Sequence, residues 1–202
     1  HGQRDCTKAV NLNVIFEKEG LIQLAPDGTV YTWLAFAQAN GMSTTVYLSD
    51  NTNEKLYARV HAILKKLQEN DEYGIERIWT RAELAETYHQ SGPYSFMVEA
   101  EDGYGFANAW TGDKPIVPVA LRGTHGHTPE RGPQPVFMAH GPAFREGASI
   151  PNAKLVDIAP TLAKVLGQEL PEAETVIRNA IERKKQLLAA CPFHDPIARH
   201  LY

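Results

Sequence analysis

The 202-residue chain is 43% hydrophobic and carries 24 acidic against 20 basic side chains, a composition that supports one sizeable core or two small ones. The charges are spread along the sequence, so no basic stripe is available to neutralise a phosphate backbone, and stable nucleic-acid binding is not expected. No apolar run approaches the roughly 20 residues that cross a bilayer, and the two widely spaced cysteines, Cys6 and Cys191, read as reduced thiols of a cytoplasmic protein rather than a disulfide framework.

Taken in chain order, the segment from Val10 to Glu19 places Leu12, Ile15 and Phe16 at helical spacing before Gly20, which can take the left-handed conformation that stops a helix. Leu21 to Leu24, the turn Pro26-Asp27-Gly28 and the run Val30 to Phe36 predict a hairpin, and Thr45 to Leu48 a further strand. From Glu54 onward, Leu56, Tyr57, Val60, Ile63, Leu64 and Leu67 share one helical stripe, with Asn51 and Glu54 as a capping pair in front. Ile75 to Trp79 reads as a strand, and the spacing of Thr80 and Glu83 predicts a capping box that opens a short helix ending near Tyr88.

Tyr94 to Glu99 is the next expected strand, followed by a Gly-rich turn over Asp102-Gly103-Tyr104-Gly105. Lys114 to Pro151 is crowded with Gly, Pro and His, which predicts loop around a single short strand, Val136 to Ala139. Asp157 is placed to cap a helix that tolerates Pro160 in its first turn and closes at Gly167, and Pro171 to start a last long helix with Val176, Ile177, Ala180, Ile181, Leu187 and Leu188 inward. The alternation of strands and helices predicts an α/β fold with a mixed sheet flanked by helices.

Three segments carry motifs: Gly123-Thr124-His125-Gly126-His127; Pro135 to Phe144, which contains His140-Gly141-Pro142-Ala143-Phe144; and Asp157-Ile158-Ala159-Pro160-Thr161-Leu162 with Gly167. At the N-terminus, His1-Gly2-Gln3 precedes Val10-Asn11-Leu12-Asn13. In order and spacing these resemble the C-terminal signature of the type I phosphodiesterase/nucleotide pyrophosphatase family of the alkaline phosphatase superfamily, with His1-Gly2 similar to the end of its Asp-His-Gly motif. The resemblance is most specific between His125 and Gly167; from Thr44 to Ala100 only the order of strands and helices agrees.

The resemblance implies an alkaline phosphatase-like fold, with residues 1–202 as one C-terminal portion of a phosphodiesterase catalytic domain and residues 44–110 as a cap-like α/β subregion. It further implies a hydrolase of phosphodiester or pyrophosphate bonds, acting on phosphate esters or nucleotides with two divalent metal ions, zinc above all. Asp carboxylates and neutral His nitrogens suit that metal. Carried over by position, His1 matches a ligand of one ion and His125 a ligand of the other. His127, two residues on, is the weaker candidate for a substrate contact. In that family the nucleophilic Thr or Ser and the remaining ligands precede the Asp-His-Gly motif, so no catalytic residue is assigned, an Asp is expected directly before His1, and the chain alone is expected to be inactive with negligible metal affinity.

Phosphonate hydrolases, phosphomonoesterases and sulfatases of the same superfamily are rival readings, and a non-catalytic interaction module that self-associates or joins a missing N-terminal part is another. Other conspicuous residues read more plainly. Cys191, His194 and His200 lack a fourth zinc donor. His61 and His89 read as surface or boundary residues of helical segments, Arg183, Lys184 and Lys185 as a solvated helix face, and Trp33, Trp79 and Trp110 as core or boundary aromatics.

Overall fold

The computed structural model describes residues 1–120, 122–151 and 153–168. They belong to two compact units, His1–Val136 and Phe137–Tyr202. The first contains β1 (Arg4–Val10), α1 (Leu12–Lys18), β2 (Ile22–Leu24), β3 (Val30–Trp33), β4 (Ala35–Asn40), β5 (Ser43–Leu48), α2 (Glu54–Gln68), β6 (Ile75–Thr80), α3 (Arg81–Tyr88), β7 (Phe96–Ala100), β8 (Gly103–Phe106), β9 (Ile116–Pro118) and β10 (Gly123–Thr124). The second contains a 3-10 turn, Leu155–Asp157, and α4 (Ile158–Val165). The chain is thus mixed α/β, and no helix among the described residues is long and apolar enough to cross a membrane. The helix expected from Pro171, together with Arg183, Lys184, Lys185, Cys191, His194 and His200, lies outside the described residues.

One of the two four-stranded sheets of the first unit is antiparallel throughout, in the order β4-β5-β7-β6. Because side chains alternate across a strand, β7 sends Phe96, Val98 and Ala100 to one face and Met97 and Glu99 to the other. The first face meets Leu56, Val60, Leu64 and Leu67 of α2, the stripe predicted from the sequence, together with Val46 and Ile78. On the second face Met97 joins Trp79, Leu84 and Tyr94 in a smaller cluster. Every residue of β7 is buried, as a central strand covered on both sides must be.

Beside this sheet, β1 runs parallel to β8 on one edge and pairs antiparallel with β10 and then β9 on the other. The short α1 that follows is buried over Leu12 to Phe16. Asn13 lies wholly inside, and its amide replaces a neighbouring strand for β4: Nδ2 donates to the Ala37 carbonyl at 2.8 Å and Oδ1 accepts from the Ala37 amide at 2.7 Å. Asn108 Oδ1 accepts from the Ala39 amide at 2.7 Å, so the outer edge of β4 is satisfied by side chains.

Several expectations need correction. The run Val30 to Phe36 is two strands, because the Leu34 amide bonds to Leu21 and its carbonyl accepts from Ser49, turning the chain from the β2–β3 hairpin into the larger sheet. The cap of α2 is Asn53, whose side chain accepts from the Leu56 amide; Asn51 instead donates to the Pro93 carbonyl and accepts from the Ser95 hydroxyl. Asp102 to Gly105 is mostly strand, since Gly103 to Phe106 pair with β1. Between Lys114 and Pro151 the strands are β9 and β10, not Val136 to Ala139. Asp157 precedes α4 as expected, yet its carboxylate accepts from the Lys154 amide at 3.1 Å, closing the 3-10 turn rather than capping the helix. The Thr80–Glu83 capping box forms as read from the sequence, with Thr80 accepting from the Glu83 amide and Glu83 from the Thr80 amide.

Candidate functional site

The first unit brings the N-terminal residues beside the His125 segment through the short β1–β10 ladder. Arg4 pairs with Thr124 and Asp5 with Gly123, and the Cys6 amide donates to the Arg122 carbonyl at 3.0 Å. Antiparallel register then carries the residues before Arg4 along those after Thr124. The His1 and His125 rings end with centroids 4.0 Å apart and planes tilted by 31°. Gly2 packs so tightly on Pro133 that a side chain there would collide with the Pro133 carbonyl.

The backbone on either side of His125 is clamped by the turn between β4 and β5. Asn40 pairs with Ser43 across Gly41 and Met42, and Gly41 has the positive φ, 77°, that a two-residue hairpin of this kind requires. The Met42 amide donates to the His125 carbonyl, while the Met42 carbonyl accepts from Ala100 at 2.8 Å and the Gly41 carbonyl from Phe106 at 2.7 Å. One turn therefore ties the His125 segment to β7 and β8. Gly126 has φ of 93° and lies against the Asn40 carbonyl, so its lack of a side chain is a condition of the close approach.

Beyond Gly126 the segment crosses the second face of the β4-β5-β7-β6 sheet. The His127 ring lies against Gly132, where a Cβ could not be accommodated, and its buried Nδ1 has no hydrogen-bond partner among the described residues. Burial, reinforced by the positive charge of Arg4, pulls its pKa below the ordinary imidazole value, which disfavours the charged ring. Thr128 follows with two bonds to the buried Glu99 carboxylate, one from its amide at 2.7 Å and one from its hydroxyl at 3.0 Å. Arg131 completes the contact: Nη1 donates to the Ala100 carbonyl at 2.7 Å and lies 3.4 Å from Glu99, and Nη2 lies 3.6 Å from Glu76 and 3.5 Å from Asp102.

Of the residues singled out in the sequence, the structure thus brings His1 and His125 together, and sets His127 inward against its own loop. Glu99, Thr128, Arg131 and Met42 were not singled out. The signal for Glu99 was a lone carboxylate in the otherwise apolar run Phe96 to Ala100, at the alternation that faces away from α2. Among the described residues no group of three or more His, Cys, Asp or Glu side chains is arranged to hold a metal ion. The His1–His125 pair supplies ring nitrogens of the kind zinc takes, but two donors fall short of the four that even one zinc ion requires.

His61 stacks on Phe96 with centroids 5.5 Å apart, and His89 ends α3 in a left-handed conformation. Trp79 is buried beneath the Arg77 guanidinium at 3.5 Å, and Trp110 Nε1 donates to the Gly28 carbonyl at 3.2 Å. No protein family, no curated protein and no solved structure matches this chain.

Proposed function

We propose that the chain is the C-terminal part of a metal-dependent hydrolase of phosphodiester or pyrophosphate bonds, of the type I phosphodiesterase/nucleotide pyrophosphatase kind, built on an alkaline phosphatase-like fold. The observation that carries the reading is the meeting of His1 and His125. These residues stand at opposite ends of the first unit in sequence, were assigned on separate motifs, and have ring centroids 4.0 Å apart. Two-metal phosphoryl-transfer sites hold their ions about 3.5–4 Å apart, so adjacent imidazoles can serve one ion each.

In this reading His1 and His125 each present a neutral ring nitrogen, and the remaining donors and the attacking hydroxyl come from a segment ahead of the Asp-His-Gly motif. A bound pair of zinc ions would lower the pKa of that hydroxyl and offset the charge that develops on the phosphoryl and leaving oxygens. The chain's own contribution is to fix the His125 segment: β10 on β1, the Met42 amide on the His125 carbonyl and the tight Gly126–Asn40 contact leave its backbone little freedom. His127, packed on Gly132 with its Nδ1 unpartnered among the described residues, is the weaker candidate for a contact on the substrate side.

The test is hydrolysis of bis-p-nitrophenyl phosphate with added zinc, by the 202-residue chain and by a form extended upstream through an Asp-His-Gly motif and nucleophile. The reading expects activity only from the extended form, and its loss on His125→Ala. Zinc-dependent turnover by the short chain would overturn the claim that its donor set is incomplete, and an inactive extended form would overturn the assignment.

A second reading, an interaction module, is favoured by Tyr31, Trp33 and Leu34, large apolar residues that the β3 region leaves exposed. Association through this patch would make elution in size-exclusion chromatography depend on concentration and would be abolished by Tyr31→Lys; a clean monomer would count against it.

A further inference from the structure

Glu99 is a carboxylate in β7, an inner strand of the four-stranded sheet, about 1% exposed, on the face away from the main core. Burying such a group without strong partners is costly, and one with partners is hardly more stabilising than an apolar residue of similar size, so its presence calls for a role beyond stability. Its partners all come from one loop. The Thr128 amide and hydroxyl donate to Oε1 at 2.7 and 3.0 Å, and Arg131 approaches Oε1 at 3.4 Å while bonding the next carbonyl of the same strand, Ala100. Thr128 is three residues from His125, and between them Gly126 is locked on Asn40.

We propose that Glu99 is a positioning residue for His125: it anchors the segment from His125 to Arg131 on the inner strand β7, and so sets where the His125 ring stands relative to His1. The inference rests on the reading of His1 and His125 as metal ligands, and deepens it by naming the group that holds one ligand in place. The anchor works with the Met42 turn from the other side. Glu99 draws the chain down at Thr128, the Met42 amide holds the His125 carbonyl, and Ala100, next to Glu99, donates to the Met42 carbonyl. Strand β7 therefore grips both flanks of the His125–Thr128 segment through adjacent residues. Outer partners of this kind orient the ligands of metal sites and are felt at the site when removed.

The Met42 amide gives a readout that does not depend on any metal. It touches His125 and not Glu99, so its hydrogen exchange in the 202-residue chain reports whether the His125 carbonyl is in place. Three variants are compared with wild type by amide exchange: Glu99→Gln, which keeps an acceptor for Thr128; Glu99→Leu, which removes it; and Thr128→Val/Arg131→Met, which alters only the loop. Protection of the paired amides across β5, β6 and β7 serves as the control for folding.

The proposal expects Met42 protection to survive in Glu99→Gln, to be lost in Glu99→Leu and to fall in the loop variant, which keeps only the Thr128 amide bond to Glu99, with sheet amides still protected. Met42 protection equal to wild type in a folded Glu99→Leu protein overturns it. Should Glu99→Leu lose protection throughout the sheet, the loop variant decides, since the sequence of β7 is then unchanged: reduced Met42 protection supports the anchor and protection equal to wild type overturns it. Zinc-dependent hydrolysis is scored separately, so a positioning residue that fails and a metal site that fails give different results.

Discussion

Gly126 faces the Asn40 carbonyl at a separation that leaves no room for a Cβ, and does so with φ of 93°. Steric conflict and backbone conformation thus oppose any side chain at this position at once. Gly126→Ala is expected to lower stability by about 1–3 kcal/mol, from the left-handed backbone alone, and to release the His125 carbonyl from Met42. Chemical denaturation and the amide exchange of Met42 check the two parts.

Asn13 makes a comparable claim about the other end of the motif region. Its amide satisfies both backbone groups of Ala37 inside the core, so Asn13→Leu leaves a buried donor and a buried acceptor without partners. Each such group costs about 1–3 kcal/mol, which predicts a loss larger than that of Leu→Ala changes on the protein surface. Urea denaturation of the variant beside wild type measures it.

Three substitutions separate the helix caps. Asn53→Ala and Thr80→Ala are each expected to cost about 1 kcal/mol, whereas Asn51→Ala should leave the start of α2 intact. The Thr80 amide and then its hydroxyl, donating to Glu83, hold that carboxyl below its ordinary pKa. A depressed carboxyl stabilises the fold above its unfolded pKa, and the contribution disappears as pH falls through the lower folded value. Because Glu83 is largely solvated, the effect is small; its signature is that Thr80→Ala loses less stability than wild type on acidification below the ordinary carboxylate range.

What the sequence disclosed follows the physics of each segment. The α2 stripe and the Thr80–Glu83 box are local patterns, set by helical spacing and by hydrogen bonds within four residues, and both form as expected. β1 was not legible, because Arg4 to Val10 mixes charged and apolar residues and becomes a strand only through partners about 95–120 residues away. For the same reason the Gly-rich segment Asp102 to Gly105 read as turn: nothing local shows that β1 lies beside it. His1 and His125 could be singled out from their motifs, but their meeting depends on that unforeseen ladder, and Glu99 on a sheet face that only the alternation of β7 reveals.

Cys6 offers a check on the β1 region. Desolvation by burial raises its thiol pKa, so the reactive thiolate is disfavoured in the folded chain. Since the unfolded thiol ionises at lower pH, this group's contribution to stability is present below the unfolded value and declines as pH rises through it towards the folded value. Iodoacetamide labelling followed by peptide mapping should find Cys6 protected at neutral pH in the native protein and modified readily in denaturant. Rapid labelling without denaturant would contradict the burial.

The central claim is that His1 and His125 stand as ligands on adjacent metal ions, and anomalous diffraction at the zinc edge tests it most directly. Crystals of the form extended through the Asp-His-Gly motif, soaked in zinc, should show two peaks about 3.5–4 Å apart. One should lie about 2.0–2.1 Å from a ring nitrogen of His1 and the other at the same distance from His125. Zinc bound elsewhere, or a fully formed site that leaves either ring uncoordinated, would contradict the account.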